Sequence, residues 1–439
     1  MGTTAVPLNY RLSDEEAAYV VDHCDATVAF VDAEMAPMFG RIRADIPKVT
    51  SVLVFDGPVP DGMEDADELM AAASPHEPPE VVAGATMIYT SGTTGKPKGA
   101  LRSGAGDPAQ IMAMVQLIGY TPDDVYVPTG PLYHSGPGGF MGIAQALGQK
   151  VVLQRRFEPE DWLRLVDTYR VTSTFSAPTP IRMICTLPDE VKAGYDRSSM
   201  KRMIANAAPW SFALKQLYLA DFPDDSLWEV YGSTELGVNC ILEPQDQLRK
   251  PGSCGKPAPG VEVKLFDDDG QEVTGIGPDH PGELFVRSPS VFADYYKQHD
   301  RFMADNRDGW QTVGDVAYRD EEDYLYICDR KKDMIISGGM NIYPAEIEAA
   351  LEANPDIYEA AVFGIPSEEW GELVHAVVVC RDGTSIPADE VMSFAREHLA
   401  NYKVPRSVTF SPELPKTGSG KILKRELRAP FWAGRTSQV

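Results

Sequence analysis

The feature that most constrains the fold is an alternation of short β-branched runs with helical patterns over residues 81–261. One such run, at 151–154, precedes a stretch, 158–170, whose apolar side chains recur at helical spacing. Those side chains are Trp162, Leu163, Leu165 and Val166. A second β-branched run follows at once, and this order is typical of βαβ units. We therefore predict an α/β protein with a parallel sheet.

The pattern of apolar and polar residues changes further along the chain. Residues 261–327 show Asp-Gly turns and period-two alternation, which predict β-hairpins. After Lys332 the pattern predicts a strand, a helix, two strands and a helix, so we place a domain boundary at 330–333.

Composition excludes several classes of function. A length of 439 residues favours two or more domains, and a net charge of −25 argues against nucleic acid as a partner. No run approaches the ~18 apolar residues of a membrane span, and the first residues do not resemble a signal peptide. The six cysteines are scattered without a CxxC pair, which favours reduced thiols in a cytoplasmic protein.

The strongest chemical signal is the stretch 87–99, MIYTSGTTGKPKG. An apolar run ends there in six hydroxyl or glycine residues, a composition typical of a loop whose backbone N–H groups turn toward phosphate oxygens. Those six residues are Thr90, Ser91, Gly92, Thr93, Thr94 and Gly95, and Lys98 adds a positive charge three positions further on. The alternative is a solvated turn. A Walker A loop is excluded, because Pro97 follows Lys96.

A second signal lies at 229–235, EVYGSTE. Backbone around Gly232 leaves room for a flat ring beside Tyr231. Glu235 supplies a carboxylate that can hold Mg²⁺. A Ser-Thr-Glu triplet is also common at a capped helix N-terminus, so both interpretations stay open.

Two further signals come later in the chain. Asp315, at the end of WQTVGD, and Arg330, in DRKKDMI, can together hold a ribose diol beside the predicted hairpins. Read separately, they are ordinary surface charges. Lys421 follows a Gly-Ser-Gly turn, which can carry it into a site built elsewhere, whereas the alternative is a basic tail.

In this order the four motifs resemble the acyl-adenylate-forming superfamily of acyl-CoA synthetases, aryl-CoA ligases, luciferases and peptide-synthetase adenylation domains. The resemblance covers nearly the whole chain. It implies a large N-terminal domain of βαβ sheets with a small β-barrel-like subdomain, followed by a small mobile α+β domain. These domains span 1–331 and 332–439, with the hinge at Lys332.

The resemblance also implies roles for single residues. The stretch 90–99 matches the loop that holds the β- and γ-phosphates of ATP, and Lys421 matches the lysine that bridges the acid and the α-phosphate. The usual Thr-Gly-Asp of the ribose site reads Val-Gly-Asp at 313–315. The remaining nucleotide contacts are Asn206, Ala207, Ala208, Tyr231 and Gly232 at adenine, Thr234 and Glu235 at the α-phosphate and Mg²⁺, and Asp315 and Arg330 at ribose.

Thioester formation needs a second set of residues. Ser337, Gly338 and Gly339 match a segment that turns toward the active site after hinge rotation and lets the pantetheine arm of coenzyme A pass close to backbone. His134 matches an aromatic gate between the acyl pocket and the thiol tunnel. A lone histidine is otherwise more often structural.

The start of the chain resembles a family segment that normally follows several dozen further residues. We expect either a start assigned downstream of the true one or a naturally short member. The pattern PxxxxGK at 415–421 resembles acetyl-acceptor sites of the family, which predicts a lysine acetyltransferase acting on Lys421.

The main prediction is an acyl-CoA synthetase that uses ATP, Mg²⁺, coenzyme A and a small carboxylic acid. One rival loads a carrier-protein phosphopantetheine, which the lack of a carrier domain after Lys421 disfavours. An oxidative, luciferase-like activity needs the same adenylate and stays open. A nucleotide-binding remnant without turnover is disfavoured by intact Glu235 and Lys421. The identity of the acid, and whether the chain forms a homodimer, also stay open.

Overall fold

The computed structural model describes residues 2–76, 84–90, 97–103, 106–208, 210–338, 340–416 and 422–433. Within these ranges no helix is both long enough and apolar enough to cross a membrane. The α-helices are α1 (Asp14–His23), α2 (Ala36–Arg41), α3 (Ala66–Ala72), α4 (Pro108–Ile118), α5 (Ser135–Ala146), α6 (Pro159–Tyr169), α7 (Pro178–Cys185), α8 (Asp189–Lys192), α9 (Phe212–Asp221), α10 (His299–Ala304), α11 (Pro344–Glu352), α12 (Ala388–His398) and α13 (Lys424–Trp432).

The strands of the first half are β1 (Thr4–Ala5), β2 (Val28–Asp32), β3 (Ser51–Phe55), β4 (Glu64–Asp65), β5 (Ala85–Thr90), β6 (Lys98–Ser103), β7 (Val125–Tyr126), β8 (Lys150–Val151), β9 (Ser173–Ser176), β10 (Arg202–Ala205), β11 (Leu227–Ser233) and β12 (Gly237–Leu242). Those of the second half are β13 (Lys256–Pro257), β14 (Glu262–Phe266), β15 (Gly282–Arg287), β16 (Asp294–Tyr295), β17 (Asn306–Arg307), β18 (Trp310–Arg319), β19 (Leu325–Arg330), β20 (Ile335–Ser337), β21 (Met340–Ile342), β22 (Ile357–Ser367), β23 (Gly371–Cys380) and β24 (Ser407–Phe410). Short 3₁₀ turns lie at Arg43–Asp45 and Pro244–Asp246.

The chain divides into two compact units. The first combines Met1–Pro108 with Phe292–Ala304, and the second combines Ala109–Val291 with Asp305–Val439. This division differs from the predicted boundary near Lys332, which stays a prediction.

The first unit contains two sheets. One has the order β1-β5-β6-β16, and the other has the parallel order β2-β3-β4. Helix α1 begins with a capping box, in which the Ser13 hydroxyl accepts from the Glu16 N–H and the Glu16 carboxylate accepts from the Ser13 N–H at 2.9 Å.

The second unit is built on a seven-stranded sheet with the order β13-β12-β11-β10-β9-β7-β8. Strands β7 to β11 run parallel, which confirms the predicted parallel sheet. The run predicted as a strand at 151–154 pairs only over Lys150–Val151. Helix α6 begins after Glu158, whose carboxylate accepts two backbone N–H groups. Its predicted apolar face is buried in one core with α7 and α9: Trp162, Leu163, Leu165 and Val166.

Two mixed or antiparallel sheets complete this unit. Strands β14, β15, β18 and β17 form an antiparallel sheet, with β19 paired to β18, so the predicted hairpins are confirmed. Within the described residues the two end strands of this order, β14 and β17, do not pair with each other. Strands β20 to β24 form the last sheet, and α11, α12 and α13 accompany it. The five predicted elements occur in the predicted order as β20, α11, β22, β23 and α12, whereas β21, β24 and α13 were not predicted.

Candidate active site

The parallel strands β10 and β11 end side by side, and the predicted adenine-binding residues follow them. The Asn206 side-chain amide donates to the backbone carbonyl of Val230, while its carbonyl accepts from the N–H of Ala207. Ala207 has a φ of +72°, a conformation that costs a residue with a side chain ~1–2 kcal/mol. The turn after β10 is therefore held to β11 by the Asn206 side-chain amide. Carboxyl ends of parallel strands are where α/β sheets bind ligands.

Gly232 stands where no side chain fits. A Cβ built there would lie 2.1 Å from the carbonyl oxygen of Gly237 on the paired strand. The β11–β12 register shifts between Tyr231 and Gly232, so a bulge re-aims the Tyr231 ring at the strand end. The glycine is needed for this close backbone approach.

Tyr231 reaches the antiparallel sheet. Its hydroxyl donates to Asp315 Oδ2 at 2.6 Å, and Asp315 Oδ1 lies 3.3 Å from Arg330 Nε. Asp315 and Arg330 are direct partners across β18 and β19, so the sheet register places the ion pair. Tyr231, Asp315 and Arg330 therefore form one continuous chain of contacts at the predicted nucleotide site.

Charge and burial oppose each other in setting the pKa of Arg330 and reinforce each other in setting that of Tyr231. Burial tends to lower the pKa of Arg330, but the carboxylates of Asp315, Asp333 and Glu235 outweigh it and raise that pKa. Burial and the Asp315 charge hold the pKa of Tyr231 well above its usual range. Tyr231 thus keeps its proton as a donor, and Arg330 keeps its positive charge.

Thr234 and Glu235 follow β11. The Thr234 hydroxyl lies 2.8 Å from that of Ser135, the first residue of α5, and the Glu235 charge acts on Arg330. In the described part of the chain no group of three or more His, Cys, Asp or Glu side chains could hold a metal. One carboxylate fits Mg²⁺ that is held mainly by substrate phosphates.

His134 precedes α5 as its N-cap residue. Its ring lies 4.3 Å from the Tyr133 ring, and its buried Nε2 has no hydrogen-bond partner among the described residues. Burial lowers the pKa of His134 to about 4. The ring is neutral at pH 7, and Ser135 brings it next to the strand end that carries Thr234.

Two predicted phosphate contacts are described in the first unit. Thr90 and Lys98 are paired residues of the β5–β6 hairpin. Lys98 is 6% exposed, and its Nζ lies 5.0 Å from the centroid of the Tyr295 ring. The predicted loop residues between them, Ser91, Gly92, Thr93, Thr94 and Gly95, lie outside the described residues.

The predicted coenzyme A segment lies on the β20–β21 hairpin. Gly338 has a φ of +58°, and its N–H donates to the Trp370 carbonyl at 2.8 Å. A Cβ on Gly338 would lie 2.7 Å from the Trp370 ring. Ser337 pairs with Met340 across the hairpin, whereas Gly339 lies outside the described residues.

Lys332 lies on an exposed turn after β19. Lys421 lies outside the described residues, but the chain on either side of it is held. Lys416 and Ile422 form an antiparallel bridge, and the Leu423 N–H donates to the Pro415 carbonyl at 2.8 Å.

Sequence reasoning missed two residues at this site. Ser135 contacts Thr234 across 99 positions of sequence, and no local pattern marks that contact. Asp329 accepts N–H groups from Arg330 at 2.7 Å and Ala345 at 2.9 Å, which ties β19 to the start of α11. Its position beside Arg330 in the DRKKD motif was the one available signal.

Comparison with known families assigns the class of protein. Residues 1–296 match the model of the AMP-binding enzyme family, and residues 346–421 match the AMP-binding enzyme C-terminal domain. The chain therefore belongs to the AMP-binding enzyme family. This confirms the resemblance inferred from the four motifs.

Three individual proteins are similar to the chain. Indoleacetate–CoA ligase of Aromatoleum aromaticum is 35% identical over 98% of this chain and 83% of its own length. Feruloyl-CoA synthase of an Amycolatopsis species is 35% identical over 98% of this chain and 84% of its own length. The ATP-bound crystal structure of MatB from Rhodopseudomonas palustris superposes with a TM-score of 0.84 at 29% identity, covering 96% of this chain and 82% of that one. The predicted α/β fold is confirmed.

Proposed function

We propose that the chain is an ATP-dependent acyl-CoA synthetase that works through an acyl-adenylate. Two CoA ligases match almost its whole length, so the chain is an acid–thiol ligase of the AMP-forming kind, as the sequence predicts. The observation that carries the residue assignment is the chain of contacts from Tyr231 through Asp315 to Arg330 at the carboxyl ends of parallel strands.

In this proposal ATP binds at that strand edge. The adenine ring lies beside Tyr231 and Gly232, with Asn206, Ala207 and Ala208 as its second wall. Asp315 accepts from the ribose hydroxyls, because each carboxylate oxygen has lone pairs beyond those used by its protein partners. Arg330 balances the buried charge of Asp315. The ATP in the MatB structure supports this use of the fold.

The first half-reaction joins two anions. A carboxylate oxygen of the acid attacks the α-phosphorus, the bond from that phosphorus to the bridging oxygen breaks, and pyrophosphate leaves. The cation of Lys421 neutralises charge where acid and phosphate meet, while Thr234 donates to the α-phosphate. Thr90, Ser91, Gly92, Thr93, Thr94, Gly95 and Lys98 hold the departing phosphates. Mg²⁺, held by Glu235 and phosphate oxygens, would supply further positive charge.

The second half-reaction forms the thioester. The sulfur of coenzyme A attacks the acyl carbonyl carbon, the bond to the phosphate oxygen breaks, AMP leaves, and the thiol proton passes to solvent. We assign His134 to the gate between acid and thiol, since a neutral ring adds no charge there. Ser337, Gly338 and Gly339 line the pantetheine path. Rotation at Lys332 moves Lys421 out of the site and brings this segment into it.

A pyrophosphate-release screen tests the proposal. The enzyme is given Mg²⁺-ATP with aromatic acids first, because two relatives are named for indoleacetate and ferulate, and then with short, medium and long aliphatic acids. Thioester is measured by mass spectrometry with coenzyme A or with a phosphopantetheine carrier protein as acceptor. If none of these acids causes pyrophosphate release, the proposal is contradicted. If thioester forms on the carrier protein but not on coenzyme A, the carrier-loading rival is favoured.

We also propose that Lys421 is the acetyl acceptor of the segment 415–421. Acetylation removes the cation that adenylation needs. Lys416 and Lys424 are matched controls, because their amines are paired with Glu359 and Glu348 at 2.7 Å. Mass spectrometry after treatment with a lysine acetyltransferase should show more modification at Lys421 than at either control. Full activity after stoichiometric acetylation of Lys421 would contradict both this site and its catalytic role.

We place the enzyme in the cytoplasm. Light scattering of the purified protein tests the homodimer that the sequence leaves open.

A further inference from the structure

Two side chains on one face of α1 contact the end of β5 and the start of β6. We call these two ends, Tyr89–Thr90 and Pro97–Lys98, the stem of the predicted phosphate loop. The Tyr19 hydroxyl donates to the carbonyl of Pro97, which precedes Lys98, at 3.3 Å. His23 Nδ1 lies 2.6 Å from the hydroxyl of Tyr89, which precedes Thr90.

One helix can make both contacts because Tyr19 and His23 are four positions apart, and residues at this spacing share a helix face. Their ring centroids are 5.3 Å apart. The His23 ring also meets the Tyr89 ring edge-on, at 5.8 Å between centroids. The two α1 side chains therefore form one packed pair against the stem.

The other side of the stem is held by the segment after β16. The Tyr296 N–H donates to the Gly99 carbonyl at 2.8 Å, and the Tyr295 ring lies near Lys98 Nζ. A Cβ on Gly99 would lie 2.6 Å from Met87 Sδ, so a larger residue there would force the buried Met87 side chain to shift. The stem is thus in close contact on both sides.

Asp25 joins the two sides just beyond the end of α1. It accepts from the Tyr296 hydroxyl at 2.6 Å and from Lys297 Nζ at 2.9 Å. Lys297 Nζ also donates to the His23 carbonyl at 2.9 Å. Helix α1, the stem and segment 294–297 therefore form a closed ring of contacts.

Protonation fixes the direction of the central hydrogen bond. Burial raises the pKa of Tyr89, so its phenol keeps the proton. Burial and the Lys297 charge lower the pKa of His23 against the opposing carboxylates of Asp25 and Asp22, so the ring is neutral at pH 7. Tyr89 then donates to His23 Nδ1.

We propose that Tyr19 and His23 are positioning residues that hold the two ends of the phosphate-loop stem, so that Thr90 and Lys98 stand ready for the ATP phosphates. This rests on the proposed function for the identity of the ligand. The contacts themselves do not depend on it. In this proposal Tyr19 and His23 act on ATP binding only through their contacts with Pro97 and Tyr89.

Kinetics of four variants test the positioning role. Tyr19→Phe and His23→Leu each remove one hydrogen bond to the stem, and each should raise the KM for ATP about three- to tenfold, with the KM values for the acid and coenzyme A unchanged. His23→Asn keeps an acceptor near the Nδ1 position and should restore most of the affinity. Tyr10→Phe, at an exposed tyrosine of the same unit, is the control and should change nothing.

Amide hydrogen exchange tests the same idea without turnover. In Tyr19→Phe and His23→Leu, peptides covering 85–90 and 97–103 should exchange faster than in the wild type, whereas Tyr10→Phe should match the wild type. Unchanged exchange together with an unchanged KM for ATP would overturn the proposal. Equal rises in every KM, with faster exchange throughout the unit, would also overturn it, because they indicate general destabilisation. If the wild type releases no pyrophosphate with any acid, the proposed function fails, and the exchange data alone decide the positioning role.

Discussion

Asp315 is a nearly buried carboxylate whose charge is balanced within the protein. It is 7% exposed, accepts from Tyr231 and pairs with Arg330. A buried charge is costly unless it is paired and hydrogen-bonded. This residue therefore holds Tyr231 and Arg330 in place at the proposed ribose position as well as offering an acceptor of its own.

Asp315→Asn should raise the KM for ATP about ten- to hundredfold, because it removes an ionic partner while keeping the side-chain shape. The measurement is pyrophosphate release at varied ATP. Glu262→Gln is the matched control on the same sheet, since Glu262 pairs with Arg287 at a surface where the two side chains are 59% and 51% exposed. Equal effects of the two variants would contradict the role of Asp315.

His134 should not take up a proton in the folded enzyme between pH 8 and about pH 5. Burial lowers its pKa from the ordinary ~6.5 to about 4, so acid protonates the unfolded chain first. Stability from this residue is thus full above pH 6.5 and is lost as pH falls toward 4. NMR titration of labelled histidine, assigned with His134→Gln, measures this. A midpoint near 6.5 would contradict the buried, neutral ring.

Among the elements, α13 is fixed to α11 and to the last sheet by separate contacts. Lys424 pairs with Glu348 at 2.7 Å, Arg428 with Glu372 at 2.6 Å, and the Trp432 indole donates to the Gly364 carbonyl at 3.1 Å. Lys421 lies outside the described residues, three positions before the first residue of α13.

Helices α7 and α11 meet through Arg182. It pairs with Glu352 at 3.2 Å and donates to the Tyr358 carbonyl, with the two ionic side chains only 13% and 15% exposed. Burial raises the pKa of Glu352, and Arg182 opposes this shift. The charge of Glu352 thus depends on a single described cation.

Arg182→Met should lower the free energy of unfolding by about 3 kcal/mol, because it leaves the Glu352 carboxylate buried without its partner. The shift of the urea midpoint, followed by fluorescence, measures it. Arg170→Met is the control, since the pair of Arg170 with Asp196 is about half exposed and should contribute little. Equal destabilisation by both variants would show that burial of the pair is irrelevant.

At the scale of the whole molecule, the two half-reactions are assigned to different residues of the C-terminal region. In the proposed function Lys421 acts in adenylation, whereas Ser337 and Gly338 act in the thiol step. Such a division requires the region after Lys332 to take up two positions during a cycle.

Lys421→Ala should abolish adenylation and spare thioester formation from supplied acyl-AMP. Lys332→Pro should do the reverse, because proline fixes φ at the proposed hinge and leaves the adenylating position accessible. Single-turnover assays of each half-reaction measure both variants. Loss of both half-reactions in either variant would contradict the alternation and indicate a shared role or a folding defect.

Residue type and spacing were enough to predict many of the secondary-structure elements and the motifs of the proposed site. The α6 apolar face and the strand and helix order after Lys332 follow from residue spacing, which sets which side of an element is buried. The motifs around Thr90, Tyr231 and Asp315 were visible because each concentrates unusual residue types in a few positions. These motifs predicted the family, and the family-model matches over residues 1–296 and 346–421 confirmed it.

Only the tertiary structure decided which of these residues meet. Tyr231 bonds to Asp315 across 84 positions, and Tyr89 to His23 across 66. Such contacts depend on strand register, a bulge and the packing of one helix face, and no short sequence pattern encodes these. The chemistry of each group is a property of its residue, whereas its partner and its protonation state are properties of the burial and charge that the folded chain creates around it.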